Sequence, residues 1–338
     1  MSSNLQLRIN QASDSARENN INSDELVKLL NDCIDHNLDH SVSHELLDLA
    51  HLCSVSKNIA NSNYQELWLD KLVQLIKKSN YNFGILLKQR ADFYDEKNAI
   101  TTIKNGQLQS ISYSLLWKKI INVAKALSHF EKFSKPIVIG LLTNNQINGS
   151  LIDLACLSFG IKVVPIPLNS TSQHVSYIID HAEITHLFIG GKTGLKLWSD
   201  IEATHTIHVI SLDDSEFNHP GLTLWEEFLE LADNINNFDI DARLMSVQIE
   251  DLQTIMYTSG TTANPKGIVF NQIHIISKRF ARGLALPDIG SDDIAAAVGP
   301  TKYFSKSFFG VSLIAILVIL FLVILNKIPF SLSSFLRA

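Results

Sequence analysis

Apolar residues fall into two regimes along this chain, and the change comes near residue 80. Before it the spacing is helical. Leu26, Leu29, Leu30 and Cys33 line one face behind Asn22 and Glu25, which are spaced as a capping box. "SHELLDLAHLC" and "YQELWLDKLVQLIKK" repeat the amphipathic pattern, so residues 1–80 read as a helical extension separate from the rest of the chain. His36, His40 and His44 sit four apart, a spacing that on one continuous helix could gather imidazoles for a metal. Ser41 and Ser43 read instead as a break and a fresh cap, which leaves the histidines solvated.

From about residue 82 the texture changes. "SISYSLLWKKIINVAKALSHF" pairs a short strand with a helix beginning near Ser114, and "PIVIGLL" is a buried strand. "NQINGSLIDLACLSFG" is a helix closed by Gly160, where a C-cap glycine is favoured. "KVVPIPL", "SQHVSYIIDHAE", "THLFIG", "GLKLWSDIEA" and "HTIHVISL" continue the alternation, and an acidic loop-and-helix connection comes after them. "DLQTIMY" is a further strand, and "GIVFNQIHIIS" is a strand passing into a helix. Short apolar strands alternating with helices predict a doubly wound α/β fold with a parallel sheet covered on both faces.

Composition narrows the function classes. The chain has 338 residues, 46% hydrophobic and 18% charged, which suits a globular protein with a sizeable core. A net charge of −6 with no basic run gives no electrostatic reason to expect nucleic acid as a partner. Cys33, Cys53 and Cys156 form no close pair, and the N-terminus lacks the apolar core of a secretory signal, so the expected location is cytoplasmic. One stretch disturbs that expectation: "FFGVSLIAILVILFLVIL", Phe308 to Leu325, carries no charge. As a helix it would span about 27 Å, the lower end of what a bilayer needs. Its β-branched residues also suit a buried helix followed by a core strand, so membrane association through 308–325 stands as the alternative.

The chemistry concentrates in "YTSGTTANPKGIVF", Tyr257 to Phe270. Hydroxyl side chains and glycine-exposed backbone N–H groups make a concave donor array for phosphate oxygens, and Lys266 adds a mobile positive charge. Pro265 stiffens the turn. Against the nucleotide loop GxxxxGK[ST], "GTTANPKG" fails: proline replaces the second glycine, and Gly267 stands where a Mg²⁺-binding hydroxyl belongs.

"YTSGTTANPKG" resembles the phosphate-binding signature YTSGTTGxPKG of the adenylate-forming superfamily, which includes acyl-CoA synthetases, peptide-synthetase adenylation domains and luciferases. Ten of eleven positions agree with x left free, the departure being Ala263 for glycine. "SISYSLLWKKIINVAKAL" and the stretch "IVIGLLTNNQINGS…THLFIG" are similar to the segments that precede this loop in acyl-CoA synthetases. The likeness runs over about 83–338.

The resemblance implies a two-step reaction. A carboxylate attacks the α-phosphorus of ATP to give an acyl adenylate and pyrophosphate, and a thiol, often coenzyme A, then displaces AMP. Thr258, Ser259, Thr261 and Thr262 would donate to phosphate oxygens, Gly260 and Gly267 would allow close backbone approach, and Lys266 would neutralise the leaving group. Mg²⁺ would bridge the phosphates, and a small carboxylic acid, such as a fatty acid, would be the partner. The family's ribose-gripping motifs, hinge and lysine-bearing C-terminal domain have no counterpart after Phe270. Residues 81–338 therefore read as the N-terminal part of such a domain, in an incomplete or split enzyme. The alternative is a non-catalytic nucleotide-binding remnant or membrane-tethered module.

Overall fold

The computed structural model describes residues 2–17, 22–36, 40–54, 65–104, 107–131, 136–213, 219–258 and 264–285. Within them a seven-stranded sheet has the order β7-β6-β5-β3-β4-β8-β9. Its strands are β3 (Val138–Leu142), β4 (Lys162–Pro165), β5 (His186–Ile189), β6 (His208–Ser211), β7 (Leu222–Thr223), β8 (Leu252–Thr258) and β9 (Lys266–Asn271). Every pairing from β7 across to β8 is parallel. β3 is buried along its whole length, which explains its unbroken apolar run.

Helices cover both faces. On one lie Tyr113–Glu131 and Ile147–Phe159, whose buried residues join a core with Phe188, Ile210 and Phe228. On the other lie Ser172–His181 and Gly191–Ser199, packed with Val164, Leu187 and Val209. The doubly wound α/β expectation therefore holds. Ile147–Phe159 is buried on nearly all sides, and Gly160 ends it in the left-handed region at φ 70°, its N–H bonded back to the Cys156 carbonyl.

The sheet departs from the purely parallel expectation at one edge. β9 runs antiparallel to β8, because the seven-residue connection between them is too short for a parallel crossover. A separate antiparallel pair, β1 (Asn98–Lys104) with β2 (Gln107–Ser112), precedes the sheet, and only its second strand was expected.

The region before residue 80 is helical as expected: Ser2–Arg17, Ser23–His36, His40–Ser54 and Gln65–Ser79. Asn22 caps the second helix, its side chain accepting from the Asp24 N–H. These helices share one continuous core with the α/β unit, in which Leu26, Leu47 and Trp68 belong to the same cluster as Tyr81 and Phe280. Polar ties lock the junction. Asn82 caps the helix Phe83–Tyr94 and donates to the Leu244 carbonyl at 2.7 Å, while Gln272 donates to the Leu157 carbonyl and accepts from the Phe83 N–H.

The histidine expectation holds in part. One helix ends at His36 and the next starts at His40, so the three imidazoles share no continuous helix, and His36 and His40 are exposed. Ser41 and Ser43, however, lie inside the second helix rather than capping it. His44 is buried, and its Nε2 lies 2.8 Å from the Ser79 carbonyl, with His40 Nδ1 at 3.0 Å from the same oxygen. Both rings turn towards the C-terminal end of Gln65–Ser79, where the free carbonyls of a helix seek donors. Among the described residues no helix is long and apolar enough to cross a membrane. The run Phe308–Leu325 lies outside them.

Candidate functional site

The β8–β9 hairpin carries the hydroxyl-rich loop at the edge of the sheet. Its rungs are Ile255↔Val269, Met256↔Ile268, Tyr257↔Gly267 and, last before the loop, Thr258↔Lys266. Directly opposed residues in such a pair have Cβ atoms roughly 5 Å apart. The structure therefore brings Thr258 and Lys266 together, both with exposed side chains, as the two posts of the loop. Asn264 is exposed beside them, and Pro265 is buried where the chain enters β9. Ser259, Gly260, Thr261, Thr262 and Ala263 lie outside the described residues. Lys266 begins a strand rather than a helix, so the helix N-terminus on which a GxxxxGK[ST] loop depends does not follow it.

Gly267 has a structural reason of its own. Its φ is not positive; what it supplies is space. A Cβ there would lie 3.0 Å from Ile255 Cγ2 and 3.3 Å from Tyr257 Cζ, so the glycine makes room for the Tyr257 ring. That ring is buried, and its hydroxyl lies 2.6 Å from Nδ1 of His181, the last residue of the helix Ser172–His181. Burial, with Tyr177 nearby, raises the Tyr257 phenol above its usual range. The hydroxyl therefore stays protonated, and it donates to Nδ1 in the tautomer that leaves that nitrogen free. Tyr177 stacks on His181 with ring centroids 5.2 Å apart. Sequence reasoning missed His181, since nothing local marks a histidine ending an amphipathic helix as the partner of a residue 76 positions later.

Thr258 and Lys266 offer a donor and a positive charge, a set that suits an anion with several oxygens. Beside the loop the residues Thr258, Asn264, Pro265 and Lys266 include no carboxylate. Among the described residues no group of three or more His, Cys, Asp or Glu could hold a metal ion.

Comparison with known proteins places this hairpin in context. The family model described as "AMP-binding enzyme" matches residues 87–316. The chain is 23% identical over 200 residues to the long-chain-fatty-acid–CoA ligase ACSBG2 of Gallus gallus, covering 57% of this chain and 26% of that protein. It is 26% identical over 200 residues to fatty acyl-CoA synthetase A of Dictyostelium discoideum, covering 56% and 28%. Among solved structures, the anthranilate CoA ligase AuaEII in complex with anthranoyl-AMP aligns with a TM-score of 0.48 at 19% identity, over 57% of this chain and 35% of that one. The chain thus spans little more than a quarter of the length of the two curated relatives.

Proposed function

We propose that this chain, which belongs to the AMP-binding enzyme family, uses the β8–β9 hairpin to hold the phosphates of ATP during activation of a carboxylic acid. The observation that carries the reading is the last rung of the hairpin, where Thr258 and Lys266 stand opposite each other at the mouth of the hydroxyl-rich loop. In the first step a carboxylate oxygen of the acid bonds to the α-phosphorus of ATP, and the bond to the β-phosphate oxygen breaks, releasing pyrophosphate. In the second a thiol attacks the acyl carbon and AMP departs. Negative charge gathers on the leaving pyrophosphate, and fixed donors aimed at it lower that barrier.

The roles divide by chemistry. Lys266 supplies a positive charge on a flexible stem that follows the pyrophosphate as it leaves. The Thr258 hydroxyl donates to the same group, as would those of Ser259, Thr261 and Thr262, and Gly260 would leave the backbone accessible. Mg²⁺, when bound with the nucleotide, would supply charge neutralisation there. The names of the relatives, long-chain-fatty-acid–CoA ligase and fatty acyl-CoA synthetase, support a fatty acid as the substrate class and coenzyme A as the thiol.

Titration of the full chain with ATP and Mg²⁺, followed by thermal unfolding and limited proteolysis, tests the binding step. ATP at about a hundred times its Kd raises stability by about 2.7 kcal/mol. Lys266→Ala is expected to weaken binding about tenfold and to leave the unliganded midpoint unchanged, because the side chain is exposed. A wild-type chain whose stability and cleavage pattern ignore ATP refutes the reading. Carboxylate-dependent exchange of pyrophosphate into ATP tests the chemical step separately.

A further inference from the structure

The geometry points to His181 as a positioning residue for the Thr258–Lys266 hairpin: by holding the Tyr257 hydroxyl it fixes the rung next to Lys266. This inference rests on the nucleotide reading of the hairpin, and extends it to a residue outside the loop.

Three contacts form the latch. The Tyr257 hydroxyl lies 2.6 Å from His181 Nδ1, the two rings meet edge to face with centroids 5.8 Å apart, and Tyr177 stacks on the histidine's plane at 29°. The ring so held lies against Gly267, its cross-strand partner, and Gly267 adjoins Lys266. Tyr257 itself adjoins Thr258. Both posts of the loop are thus one residue away from groups that His181 fixes.

The histidine is a firm anchor because its helix is tied down elsewhere. Thr171 caps the N-terminus, accepting from the His174 N–H at 3.2 Å. Ser172 donates to Asp200 at 2.6 Å, and the His205 ring contacts Ser176 at 2.9 Å and Asp180 at 3.4 Å. Val175, Ile178 and Ile179 are buried in the core on that face of the sheet. Among the described residues β9 pairs with a single strand, β8, and a strand paired on one side is held by fewer backbone bonds than one paired on both. The hydrogen bond to His181 therefore adds a tie, from outside the sheet pairing, to the strand pair that carries Lys266.

The test uses the full chain with His181→Ala, His181→Asn, Tyr257→Phe and the double variant His181→Ala/Tyr257→Phe. Hydrogen exchange of peptides spanning 252–271 reads the latch without any ligand, and ATP affinity reads its consequence. His181→Ala is expected to speed exchange in the hairpin and to weaken ATP about fivefold, the order that one intramolecular hydrogen bond contributes. His181→Asn restores both, because its amide oxygen reaches the place of Nδ1. Tyr257→Phe matches His181→Ala, and the double variant is no worse than either. Exchange and affinity unchanged in His181→Ala overturn the proposal. So does an Asn variant as impaired as the Ala variant, which would mean that only ring packing matters. If the wild-type chain ignores ATP, the nucleotide reading fails, and hairpin exchange still decides for or against the latch.

Discussion

His186 should make the chain acid-sensitive, by an amount that the structure sets. It opens β5 in a buried position, its ring stacked on Phe130 with centroids 4.1 Å apart and on His208 at 5.7 Å. Burial, aided by His208, pushes its pKa from 6.5 down to about 4. An unfolded chain thus binds a proton between those values that the folded chain refuses, so stability is full above pH 6.5 and falls as pH drops towards 4. The gap of about 2.5 pH units corresponds to about 3 kcal/mol as a ceiling, of which about 2 kcal/mol is already lost at pH 5. Water at the rim of the stack trims the figure somewhat. The wild-type profile sums opposing groups, so the observable is a difference between two chains. His186→Leu keeps the volume and removes the titration, and Thr185 Oγ1 keeps its bonds to the Val138 N–H and carbonyl. Urea unfolding of both chains at pH 7.5 and pH 5 should show the wild type losing about 2 kcal/mol more than the variant on acidification. Parallel losses in the two chains refute the account.

Three other perturbations have definite signs. Asp153 is buried in Ile147–Phe159, its Oδ1 lacks a hydrogen-bond partner among the described residues, and burial raises its pKa to about 7 against the pull of Arg279. Its raised value means stability is greatest below pH 3.8 and declines as pH rises through 7, so Asp153→Asn should be the more stable chain at pH 8, by between about 2 and 4 kcal/mol in denaturant titration. Gly84→Ala drives a methyl to 2.4 Å from the Ser158 carbonyl and 2.5 Å from Leu244 Cδ2, and should cost more than about 2 kcal/mol or abolish soluble expression. Gly160→Ala forces an L side chain to φ 70° and brings its Cβ to 3.0 Å from Val247 Cγ2, for a loss of about 1 kcal/mol in thermal unfolding.

Most of the sheet could be read from the sequence, because each parallel strand is buried on both faces and its unbroken apolar run says so. Val138–Leu142 and His186–Ile189 are the clearest cases. The helix Ser2–Arg17 fell within the helical reading of residues 1–80 but had no pattern singled out for it, since its average composition is polar, although Leu5, Ile9 and Ala12 occupy one buried face at helical spacing. β7 is two residues long, too short to leave a pattern. The antiparallel sense of β9 was hidden for a different reason: apolar content distinguishes buried from exposed, and says nothing of direction.

The candidate site divides along the same line. Thr258, Lys266 and Gly267 could be named because they are neighbours in the chain, and spacing alone suggests their chemistry. Why Gly267 is glycine could not be read so. The apparent reason was access for a ligand, whereas the structure gives it a second task, clearance beneath the Tyr257 ring. His181 was beyond reach altogether. Its contact closes a separation of 76 residues and depends on β8 lying beside β4, so that the helix leading from β4 to β5 ends next to the hairpin. A local motif therefore names the atoms proposed to meet the phosphates, while the order of the strands decides which distant side chain packs beside the hairpin. Substitutions within the loop test the first, and only a change at a remote anchor such as His181 tests the second.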